Sequence, residues 1–154
     1  MTTRVKVKIT DDSFLRSETD KLVDTLDQVD LAKWAIICAK HILPYSEIEF
    51  PASEVVNTGF GINELWQKGN ATVYQVRQAG FKIHAFARHS KKDLTKAAIR
   101  AAGHAVATGH KREHAMVCSD YALKTIQLAF PDDEGKVKEE RKWQFTALRR
   151  FTEK

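Results

Sequence analysis

Between Lys96 and Tyr121 the sequence reads KAAIRAAGHAVATGHKREHAMVCSDY, with Ala97, Ala98, Ala101, Ala102, Ala105 and Ala107 crowded into about three helical turns. Side chains this small let one helix approach another closely, so the stretch requires a helix with helical neighbours. Three histidines, His104, His110 and His114, ride along it and bring polar chemistry that is tunable near neutral pH.

The rest of the chain reads as further helices. Asp11, Asp12 and Ser13 open a polar turn, and Ser17 with Glu18 and Asp20 marks a helix start ahead of Leu22, Val23 and Leu26. Asp30 is the expected cap of residues 31–43, where only Lys33 and Lys40 form a polar stripe, and Pro44 ends that helix. Pro51 and Ser53 restart a helix that stops at Gly69 and Asn70; within it, Gly59 and Gly61 each cost about 1 kcal/mol relative to alanine and call for a close neighbour or an irregular turn. Residues 71–88 align Val73, Val76, Gly80, Ile83, His84 and Ala87 on one face, which turns His84 toward the core or a groove in it. Ser90 is the expected cap of the helix at 91–109, and the chain breaks between Gly109 and Arg112 before a helix at 113–130. After the acidic turn 131–135, an outer helix of alternating charge is anchored by Trp143, Phe145, Leu148 and Phe151.

These signals predict an all-α fold: one domain over residues 1–154, a bundle of six or seven helices with 30–43 and 113–130 innermost. The exception is RVKVKI at 4–9, whose alternation is that of a half-buried strand. Its expected partner is residues 46–50, where Glu47 and Glu49 would face the lysines; failing that, the arm offers a free edge to a second chain, and a homodimer is among the expectations.

Composition bounds the function. With 43% hydrophobic and 29% charged residues the chain is globular, and no apolar run approaches the ~20 residues that span a bilayer. No membrane association is expected, and the absence of an apolar leader core near the N-terminus points to the cytoplasm. Cys38 and Cys118 lie in apolar helical stretches and read as buried thiols rather than a bridge. The net charge of +5 is uneven, −3 over residues 1–70 and +8 over residues 71–154. A basic half attracts acidic proteins or nucleic acid, but no aromatic or Gly-rich nucleic-acid motif interleaves the charges, so nucleic-acid binding is the weakest expectation.

Two constellations invite chemistry. His110 and His114 stand at i and i+4, the spacing that sets two imidazoles on one helix face for zinc, with His84, His104 or Asp120 as a third ligand. This requires one helix through both residues and lacks the HExxH carboxylate, so the competing reading is a hydrogen-bonded seam between helices, with no cofactor. His114, Cys118 and Tyr121 resemble a nucleophile with its base, but an apolar flank does not stabilise a thiolate. No catalytic residue is assigned.

The run Ala101-Ala102-Gly103-His104-Ala105-Val106-Ala107-Thr108, then His110, His114 and Tyr121-Ala122-Leu123-Lys124, resembles the signature of a family of immunity proteins that accompany bacterial polymorphic toxins. Trp34-Ala35 and Trp143-Gln144 fall in a similar order in that family. The resemblance implies an all-helical protein that binds a cognate toxin and blocks it, with no chemistry of its own. The expected contact surface is the basic rim from Arg88 to Arg100, including Lys92, Lys96 and Arg100, together with His104, His110, His114 and Tyr121. A positive second half favours a toxin with an acidic or mixed face. The alternative is a metal-binding or enzymatic protein using His84, His104, His110 and His114.

Overall fold

The structure, a computed structural model, describes residues 4–153. Seven α-helices follow one another: α1 (Ser13–Asp24), α2 (Gln28–Ile42), α3 (Ala52–Gln67), α4 (Val73–His89), α5 (Asp93–Ala107), α6 (His114–Ala129) and α7 (Glu134–Arg149). Short 3-10 turns follow α2 and α7, and among the described residues there is no strand. None of these helices is long and apolar enough to cross a membrane.

Carboxylates and hydroxyls start α1, α2, α4 and α7 by accepting amides that would otherwise lack a partner. Asp12 accepts from Leu15 N at 3.0 Å, and Asp27 accepts from Asp30 N at 2.8 Å. Both caps lie earlier than the sequence suggested, because Asp30 is itself a first-turn residue and buried. Thr72 and Gln75 form a reciprocal capping box at the start of α4, each side chain satisfying the other's amide. Ser90 does not cap α5; its hydroxyl turns to the Lys92 carbonyl.

The core follows from the narrow polar stripes. Leu31, Trp34, Ala35, Cys38 and Ile42 of α2 are fully buried, as are Ala115, Met116, Cys118, Ala122 and Leu123 of α6. Burial of each large aliphatic side chain contributes about 1.5–3 kcal/mol. The alanine helix α5 joins these two at the centre, touching α2, α3, α4 and α6. Cys38 and Cys118 are both free thiols; Cys118 Sγ donates to the Ala35 carbonyl at 3.3 Å.

Helix α7 departs from expectation. Its buried face is Val137, Glu140, Arg141, Gln144, Ala147 and Leu148, a helical stripe in which three of six residues are polar. Trp143 instead stacks on His41 with ring centroids 3.5 Å apart, and Phe145 and Phe151 are only partly covered. Arg141 is fully buried and donates to four partners: Asp11 (2.7 Å), Asp120 (2.7 Å), the Ser119 hydroxyl (3.1 Å) and Gln144 Oε1 (3.1 Å). Arg16 grips the same Asp120 through two contacts, at 2.8 and 3.2 Å. Burial alone would lower the Arg16 pKa, but Asp120, with Asp20 and Asp11, more than restores it, and it stands above its ordinary value. Two guanidinium groups and two carboxylates thus balance inside the protein and join the N-terminal arm, α1, α6 and α7.

That network also explains why residues 4–9 are not a strand. Asp11 is held by Arg141, Thr10 N donates to Gln127 Oε1 at 2.7 Å, and Lys124 Nζ donates to the Lys8 carbonyl at 3.0 Å. The arm lies along α6, its polar groups met by side chains and Val7 buried, rather than by a ladder with residues 46–50. Glu47, the expected strand partner of the arm lysines, pairs with Lys92 at 2.6 Å instead.

Candidate functional site

A seam of imidazole rings forms where α4, α5 and α6 meet. Helix α4 carries His84 on the border of its buried face, directed at α5. There Gly103 makes room: a Cβ at that position would lie 2.6–2.9 Å from three atoms of the His84 ring, closer than real contacts allow. The next residue, His104, meets His84 edge to face with centroids 4.6 Å apart. His104 Nδ1 lies 2.9 Å from His114 Nδ1 at the start of α6, and the His104 ring stacks nearly parallel to Tyr121 at 5.4 Å.

His110 joins from outside. Its amide donates to the Ala107 carbonyl at 2.8 Å, closing a turn between α5 and α6, so no helix runs through both His110 and His114. Their rings stand 6.2 Å apart. The condition for an i, i+4 zinc pair is therefore not met, and among the described residues no group of three or more His, Cys, Asp or Glu is arranged to hold a metal ion. The seam is a hydrogen-bonded and stacked cluster.

Its electrostatics are those of uncharged rings amid cations. Burial, reinforced by Arg100, His114 and Arg88, lowers the His84 pKa to about 4. Burial and the neighbouring His84, His114, Lys6 and Arg100 lower His104 to about 2. His114 falls to about 4 through burial, His110, Lys6 and Lys111, with Glu113 alone opposing. At neutral pH these three rings are neutral hydrogen-bonding groups rather than acids. The buried Nδ1 of His84 meets no hydrogen-bond partner among the described residues.

Of the expected basic rim, Arg100 and Lys96 are half-buried on α5, and Arg88 is exposed at the end of α4. Lys92 is exposed and engaged by Glu47, tying the 46–51 connection to the start of α5. The sequence reading did not include Lys6, which the arm brings near enough to act on His104 and His114. It also missed His41, whose Nδ1 lies 2.7 Å from Glu140 Oε2 beneath the Trp143 stack. Burial raises the Glu140 pKa, and His41 pulls against that shift. Cys118 is fully buried and desolvation pushes its thiol up, the reverse of a nucleophile's requirement.

A family model described as Imm-5 like putative immunity protein matches residues 21–151. The chain belongs to that family. The Imm-5 like match takes in the last turn of α1 and all of α2 to α7, and with them every ring of the seam. Lys6, Asp11 and Arg16, which supply one rim cation and two members of the buried ion network, precede the Imm-5 like region. No curated protein and no solved structure matches the chain.

Proposed function

We propose that this Imm-5 like protein binds a cognate bacterial toxin and neutralises it by contact, through the seam of His84, His104, His110, His114 and Tyr121 and the cations around it. The observation that carries the reading is the juxtaposition of the neutral, partly accessible rings of His84, His104 and His114 with Arg88, Arg100 and Lys111 at a meeting of three helices inside the family region, to which the arm adds Lys6. Aromatic anchors surrounded by oriented charge suit a partner that arrives by electrostatic steering and is retained by packing. The sign of the rim selects an acidic patch on the toxin. The protein has no catalytic part in this reading; it acts by occupying the toxin surface.

The test is growth of cells expressing the toxic neighbouring reading frame, with this protein induced alongside. Wild type is expected to restore growth. Paired reversal Lys96→Glu and Arg100→Glu is expected to remove protection while the circular dichroism spectrum is unchanged, and to weaken toxin binding by at least about tenfold, the equivalent of 1.4 kcal/mol. Full protection by the reversed protein would show that the rim is not the contact surface.

A further inference from the structure

The outer side of the α3–α4 hairpin holds four of the large apolar side chains left in solvent: Tyr74 (68% exposed), Phe81 (51%), Val73 (48%) and Leu65 (47%). Tyr74 lines a groove of about 360 Å³ between the two helices, floored by Val55, Gly59, Ile62 and Ala79. Large apolar side chains gathered in solvent on one hairpin are the raw material of an interface.

The pattern on each helix is regular. On α3, Glu54, Thr58, Gly61 and Leu65 form one outer stripe at spacings of four, three and four, half-buried only at Gly61; on α4, Tyr74, Gln78, Phe81 and Ala85 repeat it, with Gln78 and Ala85 half-buried. That is the spacing of a seam between helices. Gly61 is the informative member. Gly59 has an internal reason, since Ile83 Cδ1 would lie 2.7 Å from a Cβ placed there, but a Cβ on Gly61 would meet nothing within 4 Å. A helix-interior glycine costs about 1 kcal/mol relative to alanine. Nothing within the chain requires that cost at Gly61.

We propose that the α3–α4 face is a self-association surface, where two copies of this chain pair about a two-fold axis and an aromatic side chain of one copy, Tyr74 or Phe81, seats over Gly61 of the other. A two-fold interface must carry knob and hole on the same patch, and this one does. Its charge also permits pairing of like molecules. The groove holds one acid and one base, Glu54 and Lys82, in a protein of net charge +5, so copies meeting here avoid the repulsion that the cationic histidine face would impose. The result is a four-helix arrangement built from two hairpins. An acidic toxin has the cationic rim to bind, whereas a second copy has this near-neutral, self-complementary face.

Sedimentation velocity of the full chain over a wide concentration range tests this without any toxin present. Wild type is expected to move from monomer to twice that mass as concentration rises. Gly61→Arg fills space that is open in the monomer and raises helix propensity, so it is expected to keep or raise Tm while abolishing the dimer; Phe81→Glu is expected to abolish it as well. A wild type that remains monomeric throughout, or a dimer that survives both substitutions, overturns the proposal. So does a monomeric wild type whose Phe81→Glu variant fails to protect cells, which would place the toxin on this face.

Discussion

His104 Nδ1 and His114 Nδ1 face each other at 2.9 Å, so a single proton serves both nitrogens. One ring must carry its proton on Nδ1 and the other on Nε2, because two protonated Nδ1 atoms at this distance would repel. Nitrogen-15 NMR of the ring nitrogens at neutral pH is expected to show this opposite pair of tautomers, and both rings in the same tautomer would contradict the contact.

The same seam sets a pH dependence. His84, His104 and His114 have folded pKa values below the ordinary 6.5, so above that value both folded and unfolded chains hold neutral rings and their contribution is complete. As pH falls from about 6.5 toward about 4, the unfolded chain takes up protons that the folded chain refuses, and stability drops. Three histidines give a limiting slope of about 4 kcal/mol per pH unit, reduced by the solvent access of the rings. Glu140, whose pKa is raised, acts the other way with one proton. Urea midpoints at about pH 7.5 and about pH 5 measure the effect, and His114→Gln is expected to flatten the slope by one proton's share.

Gly103→Ala places a methyl against the His84 ring. The gain in helix propensity is about 1 kcal/mol, and overpacking typically costs about 1–3 kcal/mol. Net destabilisation of up to about 2 kcal/mol is expected in chemical denaturation. In the double variant with His84→Ala the clash is gone, so adding Gly103→Ala to His84→Ala should cost little or stabilise; equal penalties in both backgrounds would show that His84 is not the obstacle.

Arg141→Met removes the group that satisfies Asp11 and Asp120 together. Leaving buried carboxylates short of a partner costs about 3–5 kcal/mol, and Arg141→Lys is expected to recover little because a single ammonium does not reproduce the fork. Equilibrium unfolding of the two variants beside wild type decides this, and a loss below about 1 kcal/mol for Arg141→Met would mean that water, not the guanidinium, keeps those acids satisfied.

Cys38 and Cys118 are fully buried, and desolvation raises both thiol pKa values. Both are expected to react with a disulfide reagent only as fast as the protein opens, and at full speed in denaturant. Rapid modification of either thiol in the native protein would contradict their burial.

Periodicity carried most of the architecture into the sequence. The lone polar stripe of Lys33 with Lys40 marked α2 as deeply covered, and the turn of His84 toward the core or a groove in it followed from the spacing of Val76, Gly80 and Ile83. Pairings over long sequence separations did not show. Arg141 sat among alternating charges that imply a solvated face, and only Asp11, 130 residues away, with Asp120 turns it inward. The alternation at 4–9 was real, but its period describes any extended arm with one side down, and Val7 goes down onto helices rather than a second strand. The site was half legible: the ring residues were named, while the cation from the arm and the proton shared between His104 and His114 depend on three-dimensional proximity.

The buried network has a consequence for synthesis. Asp11, Arg16 and Asp120 all leave the ribosome before Arg141, yet Arg141 alone joins the two carboxylates. A nascent chain that has formed the alanine helix and its neighbours still holds surplus acid where the last helix will dock. Closure waits for the final helix, and a truncated translation product would carry the ring seam without the guanidinium that locks the first segment of the chain to its last.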